Sequence, residues 1–216
     1  MRTFNFLVAL FALLQAGRYA RRALVFLLPS VRVTGERDAP PRSAPRLRLG
    51  VELERLGFAP LGVRHERSTL GLFTREVDAY ADASRGTYAD VFQERGPAQA
   101  PRLVYYSPFA DGAYVLTDSH ARPSRADQDS QVGAVRGAPP EGQLAAHEIA
   151  VERFAARHGT PAVALDLDAR VAAARTWYAG DGRRELRRAA ALPFAIAAFA
   201  VLLLASAVNI LLRGPK

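Results

Sequence analysis

Four histidines and two groups of aspartates are the residues of this 216-residue chain whose spacing suggests chemistry. His147-Glu148 opens like the zinc-protease motif H-E-x-x-H, but position 151 is Val, so the second ligand is missing. His147 and His158 fall on one face of an expected helix. They are separated by about 16 Å along its axis, too far to share a metal. His120 lies in an expected loop, and with His147 it is the pair around which an enzyme would be built. A tetrahedral metal site needs ligands that converge, and no spacing here makes His65, His120, His147 and His158 do so.

Asp166-Leu167-Asp168 offers paired carboxylates, yet capping of the helix that follows accounts for them. Asp78, Asp82 and Asp90 surround an expected hairpin without the glycine-punctuated ladder of a calcium loop. No G-x-G-x-x-G follows a strand, no phosphate-binding Gly-Lys-Ser/Thr occurs, and the single lysine is Lys216. There is no G-x-S-x-G elbow. Ser107-Pro108 and Ser119-His120 are chain neighbours, and adjacent side chains on a strand point to opposite faces. The chain has no cysteine, so it forms no disulfide, thiolate metal site or cysteine nucleophile. The expectation is a protein without catalytic activity, cofactor or metal.

The elements that would position these side chains divide the chain into four parts. Residues 29–48, rich in Pro and Arg, read as an extended linker. Residues 49–182 read as a soluble α+β domain. Gly50 to Leu56 suggests a short helix ended by Gly57. Strands are expected at Phe58–Glu66, Leu70–Ala81, Thr87–Glu94, Arg102–Pro108 and Ala113–Thr117. Asp111-Gly112 marks a tight hairpin turn, and connections this short favour antiparallel pairing.

Residues 119–140 lose periodicity, with at most a short strand near Val132–Val135. A helix follows at Glu141–His158, placing Leu144, His147, Val151, Phe154, Ala155 and His158 on one face. Another is capped by Asp166 or Asp168 and runs to about Tyr178. The core is expected among Phe58, Leu61, Val63, Leu72, Val77, Tyr88, Val91, Phe92, Val104, Tyr106, Tyr114 and Leu116. The fold class is therefore α+β: an antiparallel β-meander of about five strands packed against helices, joined to a C-terminal transmembrane helix and an N-terminal membrane helix.

The membrane expectation rests on the chain ends. Residues 183–216 hold Arg183, Arg184, Arg187 and Arg188, then the uncharged run from Ala189 to Leu212. A run of about 18 or more apolar residues crosses a hydrocarbon core of ~30 Å. Residues 1–28 contain an apolar stretch from Phe4 to Gly17, followed by Arg18, Arg21 and Arg22. Three readings fit this segment: a span with snorkelling arginines, an amphipathic helix lying in the interface, or a signal peptide with a weak charged start. Trp177 and Tyr178 stand where aromatic side chains anchor spans to the interface.

Charge is laid out to match. Residues 1–48 carry nine arginines against two acids, residues 49–182 fourteen arginines against eighteen acids, and the remainder five arginines and one lysine against one acid. The net charge of +8 thus sits beside the apolar segments and not on the folded middle. That argues against nucleic acid, which needs basic residues on the folded surface, and for membrane lipids as partners. The use of 28 arginines and one lysine reads as coding bias.

Both arginine clusters flank the middle region, so the positive-inside rule puts it in the cytoplasm and the protein in the cell membrane as an integral component. The membrane-interface residues are expected to be Arg18, Arg21, Arg22, Arg183, Arg184, Arg187 and Arg188. The leading functional expectation is a membrane-anchored interaction or scaffold domain with a protein partner. A binder of lipid or a small apolar ligand is the alternative, and an enzyme using His120 or His147 comes third.

Overall fold

The computed structural model describes every residue except 1, 38–41, 69–70, 72, 94–99 and 214–216. Among the described residues the order is α1 (Arg2–Leu27), β1 (Val31–Glu36), α2 (Ala44–Arg55), β2 (Ala59–Ser68), β3 (Thr74–Asp82), β4 (Thr87–Phe92), β5 (Arg102–Pro108) and β6 (Tyr114–Asp118). These are followed by β7 (Arg125–Ala126), β8 (Ser130–Ala134), α3 (Pro140–His158), α4 (Leu167–Ala179) and α5 (Asp181–Arg213). The class is α+β. The chain forms two compact units. One comprises Val33–Glu66 and Thr74–Arg175; the other comprises Met1–Arg32, Arg67–Phe73 and Thr176–Lys216.

The sheet has eight strands in the order β1-β2-β3-β4-β5-β6-β8-β7, where about five were expected. The strands β3 to β6 form antiparallel hairpins in register, with Ala79 opposite Asp90 and Tyr88 opposite Tyr106. The pairing of β6 with β8 is parallel, so the sheet is not a pure meander. Residues 119–129 make this possible: they carry the chain back past β6 and lay down the two-residue β7 on the way. The segment expected to be an extended linker instead supplies β1 and the first turn of α2.

Register decides which residues meet which helix. Asp78, Tyr80, Ala89, Val91, Leu103, Tyr105, Ser107, Val115 and Thr117 share one face. Tyr80, Ala89, Val91, Leu103 and Tyr105 form a core with Leu53 of α2, Phe58 and Leu144 of α3. A second cluster joins Phe109, Ala113 and Val115 to Val151 and Phe154 of α3. The opposite face presents Val77, Tyr88, Asp90, Val104, Tyr106 and Leu116, and these are buried too. Of the remaining expected core residues, Leu61 is half-buried and Leu72 lies outside the described residues.

Two glycines allow a close approach at the start of the sheet. A Cβ on Gly62 would stand 2.8 Å from the Glu36 carbonyl oxygen, and its φ of +131° is itself unsuited to a side chain. A Cβ on Gly35 would press on Leu167 of α4 at 3.0 Å.

In the other unit α1 packs against α5, with Phe26 and Phe194 stacked at 4.5 Å between ring centroids. Among the described side chains the buried positions are small: Ala12 and Ala23 on α1, Ala190, Ala197 and Ala200 on α5. Small residues at such spacings let two helix backbones approach closely. Among the described residues Asp181–Ser206 is the one helix long and apolar enough to cross a membrane. Helix α1 does not reach that standard, and the N-terminal membrane helix expected from the sequence is not supported by length and composition. Pro193 sits inside α5 without ending it.

Candidate functional site

The chain's most concentrated polar chemistry lies beneath α3. Helix α3 inserts His147, fully buried, between β5 and β6. Its Nε2 is 3.0 Å from Ser107 Oγ and its Nδ1 2.9 Å from Thr117 Oγ1. Ser107 continues to Thr87 Oγ1 at 2.9 Å, and Thr87 donates to the Arg85 carbonyl oxygen at 3.2 Å.

That last acceptor sets the direction of the whole chain, because a carbonyl oxygen only accepts. Thr87 spends its proton on Arg85, so Ser107 donates to Thr87. Ser107 therefore accepts from His147 Nε2–H, and the bare Nδ1 accepts from Thr117. The geometry has the distances of a serine–histidine pair but the opposite polarity: the imidazole gives its proton to the serine. No carboxylate stands behind the ring to hold an imidazolium. Burial pushes the His147 pKa down to about 3, far below the range useful to a general base at neutral pH. Gln143, one turn earlier, donates Nε2 to the carbonyl oxygens of Leu103 and Thr117, both at 3.1 Å. The arrangement fastens α3 to β5 and β6.

Arginine–aspartate clusters do the same for the other helices. On α2, Arg46 Nε donates to Asp78 Oδ2 at 2.8 Å; Arg42, just before the helix, pairs with Asp78 at 3.0 Å. On α4, Arg170 reaches Asp90 on the opposite sheet face, which also accepts from Arg64 Nη2 at 2.8 Å. The Arg170 guanidinium lies 5.1 Å and 5.0 Å from the ring centres of Tyr88 and Tyr106. Burial alone would raise the Asp90 pKa, but Arg170 and Arg64 override it and hold the carboxyl below its ordinary value. Arg64 also pairs with Glu66 at 3.0 Å. Asp118 is bound by Arg102 Nε at 2.8 Å and by Arg122 at 3.3 Å. The arginine content read as coding bias thus includes side chains that hold helices to the sheet.

The expected candidates disperse. His65 pairs with Glu36 at 2.8 Å, and His158 bonds Asp111 at 2.7 Å and the Gln128 carbonyl oxygen at 2.9 Å. His120 Nδ1 meets Ser119 Oγ at 3.0 Å, so these neighbours do bond, because they lie in a bend and not on a strand. Asp78 and Asp90 sit on opposite faces. Asp82 accepts from the backbone N–H groups of Ser84 and Arg85 and closes the β3–β4 turn. Asp166 caps α4 by accepting from Ala169 N at 3.2 Å. Among the described residues no three His, Asp or Glu side chains gather as a metal set.

Of the interface arginines, Arg183, Arg184, Arg187 and Arg188 are exposed at the start of α5, and Arg184 pairs with Asp181 at 3.2 Å. Arg18 is exposed on α1; the side chains of Arg21 and Arg22 lie outside the described residues. Trp177 packs over Gly182, where a Cβ would stand 2.5 Å from the indole. Sequence reasoning missed Ser107, Thr117 and Thr87 as partners of His147, and Arg170 as the partner of Asp90. Strand register aligns Thr87, Ser107 and Thr117, and the packing of α4 on the sheet brings Arg170 to Asp90. No family model, curated protein or solved structure matches this chain.

Proposed function

We propose that this protein is a membrane-anchored interaction or scaffold protein whose sheet-bearing unit stands on the cytoplasmic side. The observation that carries the proposal is α5. It runs 33 residues, and past its arginines it exposes Leu192, Phe199, Val201 and Leu202, with Leu192 and Leu202 69% and 65% accessible. Burying such side chains in lipid is worth about 1.5–3 kcal/mol each. The exposed guanidiniums of Arg183, Arg184, Arg187 and Arg188 belong at headgroups, and lysine and arginine flanking a span stay on the cytoplasmic side. Helix α1 packs beside α5, with Phe26 stacked on Phe194.

The polar groups of the sheet-bearing unit favour a scaffold over an enzyme. His147 is a neutral hydrogen-bond donor within a closed network, and Asp78, Asp90 and Asp118 are each occupied by arginines. A partner protein would bury the apolar side chains that this unit leaves outside: Leu47 and Val51, one turn apart on α2, and Ile149 on α3.

Topology reporters test the proposal. One is fused after Lys216 and one inserted at the exposed Gln128. The reporter at Gln128 is expected to be active only in the cytoplasm, and the reporter after Lys216 only outside. Both reporters on one side would contradict a span.

A further inference from the structure

His158 ends α3 against two other segments, and both of its ring nitrogens meet groups that only accept. Nδ1 lies 2.7 Å from Asp111 Oδ2 in the β5–β6 turn, and Nε2 lies 2.9 Å from the Gln128 carbonyl oxygen. Neither a carbonyl oxygen nor an ionised carboxylate has a proton to give. Asp111 is ionised: its hydrogen bond with His158 holds it below the ordinary carboxylate range, and its Oδ1 accepts from Ala113 N–H at 3.0 Å. Both ring nitrogens must therefore donate, which a neutral imidazole cannot do. His147 differs, because its Nδ1 finds a threonine hydroxyl able to donate to it.

The surroundings suit a cation. His158 stands in the last turn of α3, where unsatisfied carbonyls favour positive charge. Its ring stacks on Phe154 at 4.3 Å between centroids and lies 5.9 Å from Phe109, and aromatic faces attract cations. From the β5–β6 turn the charged group that meets the ring is Asp111. From residues 119–129 it is met by a carbonyl. Of the acids beside Gln128, Asp127 pairs with Arg125 at 2.7 Å, and Asp129 is exposed, its backbone carbonyl accepting from Tyr114 N–H. On α3 itself the basic neighbours Arg153 and Arg157 are exposed. The His158 side chain is only 8% accessible, which leaves little room for water to replace a lost partner.

We infer that His158 is a proton-dependent latch: its doubly protonated ring ties the 119–129 segment and the β5–β6 turn to the end of α3, and loss of one proton unfastens the segment. A neutral ring has one donor for two acceptors, so a lone pair is turned on an oxygen. The segment that is freed carries β7, whose two residues pair with Gln131 and Val132 along the outer edge of β8. An uncovered sheet edge is a template for another strand, and the latch governs whether this one is covered. Its stabilisation is present while the ring holds both protons and is lost as pH rises.

The test is amide hydrogen exchange of the full chain in detergent at pH 7 and pH 9, corrected for the intrinsic effect of pH. His147 is neutral in folded and unfolded chains over this range and does not interfere. The amides to follow are Asp127 N–H, bonded to the Ser130 carbonyl oxygen at 2.8 Å, and Tyr114 N–H, bonded to that of Asp129 at 3.1 Å. Their protection should fall roughly ten- to a hundred-fold between the two pH values, the worth of one charge-assisted hydrogen bond. The amides of β4 should keep theirs. His158→Gln retains a donor and does not titrate, so its protection should be the same at both pH values. Asp111→Asn keeps an acceptor without the charge, and its loss of protection should begin at lower pH.

Unchanged protection in the native chain overturns the inference, as does an equal fall in His158→Gln. Should both substitutions disturb the fold, nitrogen NMR of the native ring decides: two N–H protons on His158 at pH 7 support the latch, and one overturns it.

Discussion

Asp90 is the residue on which the largest single effect is expected. It is buried, it bears a charge, and its two cations come from β2, two strands away, and from α4. Removing one partner of such a pair leaves a charge without compensation and typically costs about 3–5 kcal/mol. Arg170→Leu should lower unfolding free energy by about that amount, read by urea denaturation of the full chain in detergent. A loss well under 1 kcal/mol would mean that Arg64 alone satisfies the carboxylate.

His147 predicts a pH dependence. Its pKa of about 3 in the fold lies below the ordinary 6.5. Above pH 6.5 neither folded nor unfolded chain carries the proton. As pH falls below 6.5 the unfolded chain binds it and the folded chain does not, so stability declines toward pH 3. The slope is about 1.4 kcal/mol per pH unit. Between pH 6.5 and about pH 5 the native protein should lose roughly 2 kcal/mol more than His147→Gln does. Parallel slopes for the two proteins would show that the imidazole becomes protonated in place. His147 itself was legible as an inward-facing residue of α3. Its role was not, because Ser107 and Thr117 stand 40 and 30 residues away and only register unites them.

Elements differ in how clearly they announce themselves, and burial explains the difference. Strand β5 matches its expected bounds, Arg102–Pro108, and β3, β4 and β6 lie within four, two and one residues of theirs. These strands are buried on both faces along most of their length, so more than half of their positions are Val, Leu, Tyr, Phe or Ala. Strand β1 buries only Val33 of its six residues, which leaves no alternation to read. The two-residue β7 and the parallel β8 depend on a sheet edge that already exists. For the helices, the apolar face of α3 was legible at Leu144, Val151 and Phe154. The pairing of α1 with α5 was not, because Ala12, Ala23, Ala197 and Ala200 look like filler in a chain rich in alanine.

That pairing has its own tests. Phe26→Cys with Phe194→Cys should crosslink on mild oxidation, whereas Leu7→Cys with Phe194→Cys should not. Crosslinking of both pairs alike would mean that the helices slide or separate. At the seam, Ala197→Leu forces a larger side chain between two close backbones. Overpacking of this kind costs typically 1–3 kcal/mol, so the Phe26–Phe194 crosslink should form more slowly in that background.

At the scale of the whole molecule, charge and oil are arranged together. Basic residues flank the apolar ends, and the acids of the middle are largely taken up by arginines within the sheet-bearing unit. Composition revealed the first part of this layout and concealed the second. A net charge says nothing about which guanidiniums are spent on buried carboxylates. Absence of cysteine, by contrast, gives a direct route to the central claim, because any introduced thiol is the only one present. Single-cysteine variants at Leu202 and at Gln128 are treated with a membrane-impermeant maleimide, in intact cells and in opened membranes. Leu202→Cys should stay unlabelled in both until detergent dissolves the bilayer, while Gln128→Cys should label only once the cytoplasmic face is opened. Labelling of Leu202→Cys in the intact bilayer, or recovery of the full chain as a monomer in plain buffer, would contradict the account.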